Sequence, residues 1–180
     1  MPRAQDVGTT FSTVPLHFGW QGGYGMRVLS IADGTTINVP AVGQEVNLDA
    51  GEFLEFVIPA NSQGALITCS QPCIAAQFAN QAFEGSSPGE RHMNPFMLIL
   101  TPVEHYSVDV VFSTPSFETS TLMAMSIIVD FYPVEDLYLD EVSLEDLEWQ
   151  PTVGSTDSYH VSLSLEPGQH TLYTLDPDHK

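Results

Sequence analysis

"SIADGTTINVP", residues 30–40, sets an Asp-Gly dipeptide between "RVLSIA" and "TTINV", two stretches that alternate polar with branched apolar residues. Alternation at period two is the mark of a strand with one buried face. Asp33-Gly34 between such stretches predicts a two-residue hairpin turn, because both central positions tolerate positive φ. A phosphate loop would need further glycines and a following helix, and Pro40 stands where that helix would run. A calcium loop of the EF-hand kind would need oxygen ligands at alternate positions, a set that Thr35 and Ile37 do not supply. The stretch is a turn between strands.

Outward from it, short runs of β-branched and aromatic residues, broken by Gly, Pro, Asn, Asp and Ser, recur about every ten residues, with almost no helical periodicity. Strands are expected at 24–32, 35–39, 44–48, 53–58, 65–69, 73–79, 96–100, 107–112, 122–129, 137–139, 159–165 and 171–175. Pro167-Gly168 predicts a second hairpin between the last two. "FEGSSPGERHMNP", residues 83–95, reads as the long exposed loop. In 134–149 the spacing predicts a strand, a turn at Asp140-Glu141 and a short second element. Ser143 with Asp146 three residues on would allow one helical turn there. The fold class is all-β: an antiparallel β-sandwich-like domain, with room for that one short helical turn. It spans 1–180 as a single domain with an ordered core over about 17–175.

Composition narrows the partners. Hydrophobic residues make up 43% and charged residues 15%, as in a chain that folds. Four Lys+Arg stand against 23 Asp+Glu, a formal net charge of −19. Arg3, Arg27, Arg91 and Lys180 are scattered, so nucleic acid and anionic lipid are not expected partners. No run of about 18 apolar residues suggests membrane insertion. The start, "MPRAQDVGTTFSTVPLHF", has no apolar stretch of the kind a secretory signal needs, and the chain is expected to be a piece of a larger protein.

The chemistry-bearing residues form no strong catalytic pattern. No G-x-S-x-G elbow occurs, and His17, His92, His105, His160, His170 and His179 show no zinc spacing. On a hairpin closed by Pro167-Gly168, His160 and His170 would fall on opposite faces, too far apart to share a metal. Glu104 beside His105 is an acid-base neighbour pair, but neighbours on a strand point to opposite faces. Asp136, Asp140, Glu141, Glu145, Asp146 and Glu148 offer hard oxygen ligands. Asp140, Glu141 and Glu145 are the calcium candidates, against the reading that the segment is a solvated acidic edge that resists strand aggregation. Cys69 and Cys73 flank "SQP" between two expected strands and are a disulfide candidate; two reduced, half-buried thiols are the competing reading.

In order, "LSIADGTTINV", "VNLDAGEFLEF", "GALITCSQPCIAAQFANQ", "PFMLILTPVEHYSVDVVFSTP" and "YHVSLSLEPGQHTLYTL" resemble the N-terminal domain family of the IgG Fc-binding protein. The resemblance covers about 26–175 and rests on the order and spacing of its motifs, since each alone is strand-and-turn chemistry. It implies a β-rich module of secreted or cell-surface proteins, set in multidomain chains of mucus or matrix, and it brings no catalytic residues. In two places the sequence departs from the family pattern: Cys73 stands where an aliphatic residue is more usual, and the cysteine common beyond that strand is missing after Asn80. A local Cys69–Cys73 bridge would replace the family's usual one.

The expectation is therefore a non-catalytic extracellular or cell-surface adhesion and interaction module that binds a protein or glycan through loops and strand edges, with no cofactor. The alternatives are a carbohydrate-active β-sandwich enzyme, using two facing carboxylates in a cleft lined by Trp20, Trp149 or tyrosines, and a calcium-dependent binding module.

Overall fold

The computed structural model describes residues 6–15, 23–59, 62–79, 96–107, 109–116, 123–130 and 134–175. The expected loop at 83–95, Trp20, His17, His92 and His179 lie outside them. The first sheet contains β1 (Gly8–Ser12), β2 (Tyr24–Ser30), β3 (Thr35–Val39), β4 (Gln44–Leu48), β5 (Phe53–Ile58), β6 (Leu66–Ala79) and β7 (Phe96–Ile99). β8 (Val110–Thr114), β10 (Leu137–Leu139), β11 (Val142–Ser143) and β14 (Gly168–Thr174) form a four-stranded sheet in the order β11-β10-β14-β8. β9 (Met123–Val129), β12 (Gln150–Pro151) and β13 (Tyr159–Leu165) form a three-stranded one. All pairings between these strands are antiparallel.

Asp33-Gly34 is a turn, with Gly34 at φ +67°, but not the expected hairpin. β2 and β3 do not pair with each other; both lie end to end along the same side of β6. The hairpin comes one turn later, at residues 40–43, where Gly43 in the left-handed region ends a 3-10 turn and β4 returns against β3. β5 then continues against β2, so Asp33-Gly34 is a jog in a long ribbon and 49–52 is the matching jog opposite. The two jogs hold each other: Asp33 Oδ1 accepts the Ala50 N–H at 3.0 Å and Asp49 Oδ1 accepts the Gly34 N–H at 3.2 Å. This reciprocal pairing is why Asp-Gly sits here without closing a hairpin. Asp33→Ala and Asp49→Ala are each expected to cost about 1 kcal/mol, read as a lower urea midpoint at unchanged slope.

The Pro167-Gly168 hairpin is also corrected. β13 pairs with β9 and β12, β14 with β8 and β10, so the turn carries the chain from one sheet to the other. In a common ribbon both apolar faces would need a further layer to cover them. Across a sandwich each covers the other: Val161, Leu163 and Leu165 of β13 and Leu172 of β14 pack on one core with Ile127, Val129, Leu137, Leu139 and Leu144.

Three further expectations change. The ordered core begins before residue 17, because β1 pairs with β6 and Phe11 is fully buried; Gly-Thr-Thr has no apolar alternation to mark it as a strand. The two strands expected around "SQP" are one strand, β6, with a bulge. The helical turn at Ser143 is a hydrogen-bonded turn, in which Ser143 Oγ accepts the Glu145 N–H at 3.3 Å instead of capping a helix.

The first core lies against the first sheet, where Phe11, Tyr24, Met26, Val28, Ile37, Val39, Phe56, Ile58 and Ile67 are buried, and the core shared by β13 and β14 is the second. Where the two cores meet, buried polar groups pair across the seam. Thr13 N–H donates to Ala65 O and Ala65 N–H to Thr13 Oγ1, both at 3.0 Å, and Tyr24 Oη lies 2.7 Å from Thr13 Oγ1. Ser12 Oγ meets Ser158 Oγ at 2.9 Å, and the Leu66 N–H donates to Val153 O at 2.9 Å. Burial pushes the Tyr24 phenol up to about 12, against the Thr13 hydrogen bond, so the hydroxyl stays protonated in this seam.

Candidate functional site

The first sheet has one face on its core and one facing out, and the outer face is divided. Around β3, β4 and the first half of β6 it carries Thr36, Asn38, Glu45, Asn47, Thr68 and Ser70, as period-two alternation requires of a solvated face. Around β5, β2, the second half of β6 and β7 the register sets Val57, Gly25, Phe78 and Met97 in one row, Glu55, Arg27, Ala76 and Ile99 in the next, and Phe53, Leu29 and Ile74 in a third. Phe53, Val57 and Met97 are each more than half exposed and Ile99 is 44% exposed. Solvated faces rarely gather so many large apolar groups without a partner. Val111 and Val142 are exposed too, but on opposite edges of the four-stranded sheet.

One ion pair sits in the middle of this apolar field. Arg27 Nη2 lies 2.5 Å and Nε 2.9 Å from Glu55 Oε2, directly across the β2–β5 ladder. The Arg27 guanidinium also lies 4.8 Å from the Phe53 ring centroid and 5.5 Å from that of Phe78, so the two aromatic rings bracket the cation. The pair thus ties both rings to one cation on the sheet face.

Elsewhere the candidate residues serve structure. Asp140 and Glu141 form the two-residue turn between β10 and β11, as expected, both at positive φ. Asp140 Oδ2 lies 2.6 Å from His170 Nδ1, and its Oδ1 accepts the Thr171 N–H at 2.8 Å. Glu141 and Glu145 stay exposed at the surface, and no three His, Cys, Asp or Glu side chains converge among the described residues. The calcium set is therefore not brought together, because the buried His170 ring has taken its central carboxylate.

Thr114 Oγ1, 3.1 Å from His170 Nε2, extends this to a Thr-His-Asp row that looks like a nucleophile, base and orienter. The hydrogen bonds deny it that chemistry. Nε2 also faces Glu166 O at 2.9 Å, so both ring nitrogens point at acceptors, an arrangement that favours the protonated ring and holds its pKa above the ordinary value. Thr114 Oγ1 lies 2.8 Å from the same carbonyl and donates to it. An Nε2–H directed at the Glu166 carbonyl presents no lone pair to take the Thr114 proton.

Glu104 and His105 lie exposed in a 3-10 turn at Val103–His105, not on a strand. The Glu104 carboxylate accepts the Thr9 hydroxyl and the Thr9 and Thr10 N–H groups, tying this turn to β1. Burial pushes its pKa up, but these bonds and the backbone of Glu104 outweigh burial and hold it below the usual carboxylate range. Trp149 packs on the second core, and its Nε1–H donates to Leu144 O at 3.0 Å. The described side chains thus assemble no facing carboxylates between aromatic walls.

The sequence reading placed recognition on loops and strand edges and did not consider this apolar outer face. The signal was present: "FLEFVI" and "FMLI" are apolar at both parities, which a strand with one solvated face does not need.

Fold and surface together define an all-β protein with an exposed apolar sheet face. The chain belongs to the IgGFc binding protein family, whose model matches residues 1–178. No curated protein and no solved structure matches it.

Proposed function

We propose that the chain is a non-catalytic protein-recognition module of an extracellular or cell-surface protein, and that it binds through the outer face of β5, β2, β6 and β7. The observation that carries the reading is the array of Phe53, Val57, Phe78, Met97 and Ile99 around the Arg27–Glu55 pair. Such an array supplies the large apolar anchors that dominate interface energies. The occupant is a folded protein with an apolar contact area and a neutral or basic rim, since a net charge of −19 repels acidic partners and steers basic ones. The family description makes the Fc region of IgG the first such protein to test.

The test is binding of immobilised Fc by the wild-type chain, Val57→Asp and Met97→Asp, with melting curves to show that the variants fold. Each charge would be buried against the partner, so affinity should fall by about 30-fold or more at unchanged melting temperature. Equal affinities would remove the face from the reading, and no binding by the wild type would remove Fc as the partner.

A further inference from the structure

We infer that Cys69 and Cys73 close into a disulfide that staples the bulge in β6 when the chain folds under oxidising conditions. In an unbroken strand, residues four apart lie about 13 Å from each other, well beyond disulfide reach. Here the strand is not regular. Thr10 of β1 lies opposite Thr68, yet Gly8, two residues back, lies opposite Cys73, five residues on. Three residues of β6, Ser70, Gln71 and Pro72, are therefore looped out, and all three are exposed. Cys69 and Cys73 are left opposite the consecutive positions Thr9 and Gly8.

The other side of β6 gives the same answer independently. Ser30 at the end of β2 pairs with Cys73 and Ile37 of β3 with Cys69, with the Asp33-Gly34 jog between them. Both cysteines are buried and face the first core, close enough that each perturbs the other's ionisation. The bulge is also where β6 changes neighbours, from β1 and β3 before it to β7 and β2 after it. A covalent bond at this point would fix the register of every strand that flanks it.

The reaction needs a two-electron oxidant, for which a small-molecule disulfide such as glutathione disulfide suffices. The Cys73 thiolate attacks one sulfur of that disulfide, forming a mixed disulfide and releasing one thiolate. Cys69, once deprotonated, attacks the Cys73 sulfur, forms the intramolecular bond and releases the second thiolate. The sum is two protein thiols and one external disulfide giving one protein disulfide and two external thiols. The roles of Cys73 and Cys69 can exchange without changing this sum.

The experiment is refolding of the full chain from denaturant with glutathione disulfide or with reductant, followed by intact mass after alkylation of the unfolded product. The expected oxidised product is a monomer about 2 Da lighter than the reduced chain, with no alkylated thiol, melting about 5 °C higher. A Cys69→Ala/Cys73→Ala variant should melt at the same temperature under both conditions. Two alkylated cysteines after oxidative refolding, a persistent glutathione adduct, or a disulfide-linked dimer would each overturn the inference.

Discussion

Gly64→Ala should cost about 3 kcal/mol and lower the melting temperature by about 8 °C, although it adds a single methyl group. Gly64 has φ +87°, where a side chain is strained, and a Cβ there would lie 2.4 Å from the Thr13 carbonyl oxygen. That oxygen is backbone, and Thr13 is held by the Ala65 hydrogen bonds on both sides of the methyl, so it cannot turn aside. The same Cβ would stand 3.5 Å from His160 Cε1. Relief would have to come from opening the seam between the two cores, with loss of the Thr13–Ala65 pair. Gly34→Ala is the control: φ is +67° and no atom lies within 4 Å of the added Cβ, so only the backbone preference is lost, about 1 kcal/mol. Urea midpoints for the two variants separate the terms, and equal losses would show that the close approach to Thr13 does not matter.

This seam also marks the limit of what the sequence disclosed. The expected bounds of 35–39, 44–48, 53–58 and 159–165 are those of β3, β4, β5 and β13, because alternation is a local property of each strand. Partner choice is not local. Asp33-Gly34 and Pro167-Gly168 have hairpin chemistry, yet neither closes a hairpin, since the matching edge for β2 and β3 is β6 and the matching faces for β13 and β14 lie across the sandwich. The same split holds for the site. The proximity of Cys69 and Cys73 was readable from a three-residue spacer of turn residues. The outer face was readable only strand by strand, in "FLEFVI" and "FMLI"; its assembly was not, because Phe53, Leu29, Phe78 and Met97 come from four strands and meet only through their register. β1 escaped notice for a related reason: Gly8–Ser12 is a strand by virtue of its pairing with β6, which its own residues do not announce.

Stability should depend on pH through two buried histidines that pull in opposite directions. His170 is doubly hydrogen-bonded to acceptors, Asp140 first and the Glu166 carbonyl second, and these hold its pKa above the ordinary 6.5 against the effect of burial. Its contribution is complete below pH 6.5 and is lost as pH rises through the raised folded value. Asp140 is held below its ordinary 3.8 chiefly by His170 and the Thr171 N–H, so its side of the pair is present above that pH and fails only as pH falls through the lowered folded value. His160 is the reverse case. It is buried with Nδ1 unpartnered, and burial alone lowers its pKa. The unfolded chain takes up a proton there near pH 6.5 that the folded chain refuses, so stability is lost as pH falls below 6.5 toward the folded value. Asp140→Asn leaves a buried ring without its counter-charge, and its deficit against wild type should be largest at about pH 5 and shrink as pH rises through the His170 value. His160→Phe should gain on wild type as pH falls below 6.5, because it removes a group whose protonation favours the unfolded chain. Urea midpoints from about pH 5 to about pH 9 give both differences. Curves for both variants that run parallel to wild type across this range would mean that neither ring titrates differently on folding.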